Sequence, residues 1–163
     1  MALTESFLAS EILASLDELT GDNPPASPQL RIAQAFGNYF KQASTPSAPI
    51  AASVDAAVSA MAGSMSFPHG NPEAGAAALV GGFSAFWTSM QAAAATAWPG
   101  HLPGMPPPGL ASLAAALSAT FILNNVQDKT KLQAALNLAA AIHPNAGIGG
   151  TVILPPSTPV PIT

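Results

Sequence analysis

Residues 71–98, NPEAGAAALVGGFSAFWTSMQAAAATAW, decide how this chain folds. They open a run from Ala74 to Gln127 that contains no Asp, Glu, Lys or Arg, so the rest of the molecule must keep that run out of bulk water. Asn71 reads as an N-cap, Pro72 as the first helical residue and Glu73 as a charge on the positive end of the helix dipole. Leu79, Phe83, Phe86, Trp87, Met90 and Trp98 recur at the spacing of one helical face. The rest of the cylinder is small, carrying Gly81, Gly82, Ala85, Ser89, Ala92, Ala93 and Ala95. Such a surface lets another helix approach closely, and Gly82 and Ala93 are its candidate contact points.

The composition bounds what the chain does. Of 163 residues, 49% are hydrophobic and only 7% charged, where ~25% charged is usual for soluble domains. Much of the apolar content is Ala, so the chain is neither a greasy membrane protein nor a polar disordered one. The four bases, Arg31, Lys41, Lys129 and Lys131, against a net charge of −4, cannot neutralise a row of phosphates, which excludes nucleic acid as the expected partner. With no Cys, disulfide, thiolate-zinc and cysteine-nucleophile chemistry are absent. The acidic start, Met1 to Ser6, lacks the basic region of a signal peptide, so classical export is not expected.

Along the chain, six periodic segments bounded by caps and prolines predict an all-α fold: a compact bundle of about six helices with an extended Pro-rich C-terminal arm. Thr4 to Leu19 is amphipathic, with Leu8, Ile12, Leu16 and Leu19 on one stripe. Ser27-Pro28 caps a second helix, Gln29 to about Ala43, presenting Ile32, Phe36, Tyr39 and Phe40. A third, Ala51 to about Met65, offers Val54, Val58, Met61 and Met65. After the central helix, residues 99–109 carry five prolines and three glycines and read as an extended loop. Leu110 to about Asn125 aligns Leu110, Leu113, Leu117 and Phe121. Asp128 caps a last helix, Lys129 to about His143, with Leu132, Leu136 and Ala139 inward. The domain division is residues 1–150 as a helical domain (1–26 an N-terminal helix and linker, 27–146 the core) and 151–163 as the arm.

No motif for catalysis, cofactor or metal emerges. There is no nucleophile elbow, phosphate loop, dinucleotide fingerprint or zinc helix. His69, His101 and His143 all sit in proline-containing turns; His69 and Glu73 are four apart, but Pro72 starts the helix between them and spoils a chelating pair. His143 near a helix C-terminus complements the dipole. The expectation is a protein that is not an enzyme and takes no cofactor or small-molecule substrate. Membrane spanning is also disfavoured, since the apolar helices carry Ser84, Thr88, Gln91, Asn124 and Asn125 and lack flanking basic clusters.

The small faces and the prolines point instead to other proteins. A chain with so few charges cannot cover itself with solvating side chains, so much of its exterior is expected to be covered. Thr151, Val152, Ile153 and Leu154 have strand character with no second strand evident in the sequence. They are therefore expected to pair with a neighbouring subunit's sheet edge, the prolines behind them forming a stiff arm.

Phe86-Trp87 in an Ala-rich helix, Trp98-Pro99, Pro106-Pro107-Pro108-Gly109-Leu110, Ala119-Thr120-Phe121, Ile142-His143, and Gly149-Gly150-Thr151 before a Pro-rich end together resemble small virion structural proteins of tailed bacteriophages. The resemblance spans about Ile32 to Pro155. It implies a multi-copy tail, baseplate or neck component, assembled into a virion in the host cytoplasm with other virion structural proteins as partners, and it transfers no catalytic residue. The alternative is a bacterial helical interaction module that associates with a membrane or a hydrophobic partner surface.

Overall fold

A computed structural model describes residues 3–42, 51–66, 71–97, 102–126, 129–154 and 158–161. The expectations placed on Trp98, His69, His101, Asp128 and the last residues of the arm lie outside the described residues. The fold is a helical bundle of α1 (Glu5–Leu19), α2 (Pro28–Phe40), α3 (Ala51–Ser64), α4 (Pro72–Ala97), α5 (Leu110–Val126) and α6 (Lys131–Ile142).

Local chemistry sets the helix starts. The Ser27 hydroxyl accepts the Leu30 N–H at 3.2 Å with Pro28 at the first position. Asn71 Oδ1 accepts both the Glu73 and Ala74 N–H groups at 3.1 Å. At α6 the cap is Thr130, whose hydroxyl accepts Gln133 N–H at 3.2 Å, so the helix starts two residues later than Lys129.

Each helix packs on its neighbours in sequence, and α6 returns to pack on α1, closing a ring of six. Aromatic rings fill one part of the interior. Phe36 meets Phe83 and Phe86 edge-on at 4.6 and 4.9 Å between centroids, and Phe40 meets Trp87 at 4.9 Å, the offset geometry that aromatic quadrupoles favour. Polar links hold α1 to the ring at its edges: Glu18 to Arg31 (2.6 Å), Glu11 to Asn38 (2.9 Å) and Asp17 to Lys131 (3.0 Å).

The stretch after α6 pairs within its own chain, where the sequence predicts pairing with a neighbouring subunit. His143–Gly147 forms one π-helical turn, so the helix is redirected rather than stopped at His143-Pro144. Gly149 then takes φ 88°, a left-handed conformation open to glycine. β2 (Thr151–Leu154) follows and is the middle strand of a three-stranded antiparallel sheet, between β1 (Leu102–Pro103) and β3 (Thr158–Pro161). Leu102 is opposite Ile153, and Val152 is opposite Val160.

Candidate functional site

The premise that Thr151, Val152, Ile153 and Leu154 lack a partner in their own chain is corrected by that sheet. Thr151 is tied in three ways: its N–H donates to Met105 O at 2.9 Å, its Oγ1 accepts Met105 N–H at 3.0 Å, and its carbonyl accepts Gln91 Nε2 of α4 at 3.0 Å. The partners escaped the sequence reading because both outer strands contain proline, which argues against a strand in sequence but is tolerated at an edge. Their prolines also shape the edges. A ladder needs N–H donors, so Thr158 and Val160 supply β3's bonds to β2, and alternation turns Pro159 and Pro161 to the outer edge. That edge offers no donor in β3, and β1 is two residues long, both of which oppose strand addition.

Gly82 is buried, and its neighbours are in the same chain. A Cβ there would lie 3.3 Å from Met61 Cγ of α3 and 2.7 Å from Cγ of Met65, which follows α3. The close helix approach read from the small face is present, but at Gly82 it is made by α3 and not by another subunit. Ala93 is half-buried near the end of α4.

Two aromatic groups anchor the π-turn. Trp87, fully buried, donates its indole N–H to Ala146 O at 2.8 Å, and Tyr39 shares a 2.7 Å hydrogen bond with His143 Nδ1. Burial pushes the Tyr39 phenol above its ordinary value of 10.0, so it is neutral at physiological pH. His143 thus has a tertiary role beyond complementing a dipole. The pair has no carboxylate or nucleophile joined to it by the observed hydrogen bonds, and the turn reads as structural cement. Among the described residues, no three His, Asp or Glu groups converge as a metal site, and no helix is long and apolar enough to cross a membrane.

Two features remain, and neither was legible as such in the sequence. The first is the outer face of α6. Ala135, Ala139 and Ile142 point inward, while Leu132 and Leu136 are 55% and 42% exposed, so the expected inward placement of those two leucines is corrected; Ala139 is inward as expected. Both registers carry apolar residues at helical spacing, and packing on α1 and α5 selects the one with smaller side chains. On α5, Ile122 and Leu123 are also exposed, and Asn137 Nδ2 donates to Asn124 Oδ1 at 2.8 Å. That bond joins the helix segments next to Leu136 and Leu123, so large apolar side chains on two adjoining helices face outward.

The second is a cavity of about 260 Å³ inside the ring, to which all six helices contribute lining residues. Phe36 and Phe83 bound it on the side of the aromatic cluster, and Leu8, Ile12, Leu79 and Leu138 are among its walls. Its one polar side chain, Ser15, already donates to Glu11 O at 2.9 Å. No family model, curated protein or solved structure matches this chain.

Proposed function

We propose that the chain is a non-enzymatic structural or adaptor subunit of a large protein assembly, present in several copies and seated against other structural proteins. The tail, baseplate or neck of a tailed bacteriophage, or a related contractile particle, is the assembly that the sequence resemblance favours. The observation that carries the reading is the outward apolar face of α6, where Leu132 and Leu136 stand exposed with Ile122 and Leu123 on the adjoining α5. Their placement outside, with the smaller Ala135 and Ala139 inside, leaves apolar area that a neighbour would bury at ~25 cal/mol per Å². The scarcity of charge, 12 residues in 163, supports the same view. The proline edge of the sheet favours docking through helices over docking through strands.

The test is quantitative mass spectrometry of purified particles from the organism that encodes the chain. A fixed copy number per particle, retained through high-salt washing, is the expected result. A chain recovered only in the soluble fraction as a monomer overturns the reading.

A further inference from the structure

The cavity at the centre of the ring has a shape and a chemistry that select an occupant, independently of any role in assembly. Its wall on α1 runs from Leu8 to Leu19, a span of about 16 Å at 1.5 Å per residue. The cavity of about 260 Å³ is therefore lined along about three turns of α1. Apolar cavities of ~150 Å³ hold benzene, so this one has room for roughly ten carbons. With the Ser15 hydroxyl committed to Glu11 O, its side chains present no free hydrogen-bonding group to a ligand's interior part. Ile12, Leu16, Leu19, Ile32, Phe121 and Leu138 line it and are only half-buried, so the cavity reaches solvent among them.

The charges next in sequence to that lining are already used. Arg31 precedes Ile32 and binds Glu18, while Asp17, next to Leu16, binds Lys131. Each cation beside the lining is thus already paired with a carboxylate, so an anionic head gains no unpaired positive charge from Arg31 or Lys131. We propose that the lumen of the six-helix ring binds a single aliphatic chain of about ten carbons belonging to an uncharged amphiphile, with the chain inside and the head at the solvent opening.

The chain's five methionines provide the readout. Met61 lines the cavity, whereas Met105 is 72% exposed. In the full chain carrying ¹³C-methyl methionine, 1-decanol is expected to shift the Met61 signal saturably, leave Met105 in place and raise the melting temperature with concentration. Decanoate is expected to bind at least about tenfold more weakly, and equal binding of the two overturns the uncharged head. A Met61 signal that does not move, or moves only together with Met105, overturns the site. Ala35→Leu from α2 and Ser15→Leu from α1 each place carbon into the cavity; either one that folds is expected to lose the decanol response, and an undiminished response in a folded variant overturns the location.

Discussion

At Gly150 the absence of a side chain lets the backbone lie against the Trp87 ring; an added Cβ would collide with two of its atoms. The ring cannot retreat, because it is fully buried and its N–H is held by Ala146 O. Gly150→Ala is therefore expected to cost about 1–3 kcal/mol, seen as a fall of several degrees in melting temperature. Gly81, also in α4, has nothing within 4 Å of its added Cβ, so Gly81→Ala should stabilise by up to ~1 kcal/mol through helix propensity. Opposite signs in thermal melts check the pair. Tyr39 yields a pH prediction at the same scale. Its pKa is raised in the folded state by burial, so its contribution is fully present below the ordinary value of 10.0 and is lost as pH rises beyond it. As Tyr39 is the single tyrosine, tyrosinate absorbance in alkali should appear together with loss of helical circular dichroism, and an ionised but folded protein would contradict its burial.

Among the elements, β2 changes most between sequence and structure. Pairing on both sides, together with the Gln91 and Met105 bonds to Thr151, makes the strand part of the domain that α4 helps to hold. Truncation after Gly150 removes those bonds and strips β1 of its partner. With net values of about 1 kcal/mol for each intramolecular hydrogen bond, the truncated chain should remain helical but melt several degrees lower. An unchanged melting temperature would show that the sheet adds nothing to the bundle. The helix starts behave differently: Ser27, Asn71 and Thr130 accept backbone N–H groups three residues on or nearer. Such bonds depend on local sequence and are therefore insensitive to the rest of the fold.

For the whole molecule, the ring of helices has an outer surface and an inner one, and both carry apolar area. Leu132→Glu combined with Leu136→Glu changes only exposed positions on α6. Surface changes of this kind move stability by about 0.5 kcal/mol or less each, so the monomer's melting temperature should hold within a few degrees. If α6 is the docking face proposed above, association measured by sedimentation, or incorporation into particles, should be lost, since charge placed there must be desolvated on docking. Large unfolding by the double variant would mean that the two leucines are part of the core.

The sequence by itself determined the helices: their number, the caps at Ser27 and Asn71, the inward faces of α2, α3 and α5, and the place of Trp87 on the large-residue face of α4. Helical periodicity and capping act within a few residues of one another, so they can be read without knowing what packs where. Tertiary structure alone decided which side of α6 faces in. Leu132 and Leu136 compete with Ala135, Ala139 and Ile142 for the interior, and the winner depends on the space left by α1 and α5. It also decided the partners of β2, which lie about fifty residues upstream at Leu102–Pro103 and just downstream at Thr158–Pro161. Proline content hid them, because an edge strand needs its N–H groups on one side only. The cavity is the furthest from the sequence: it is the space that six packed helices fail to fill, a property of their closure into a ring that no single helix encodes.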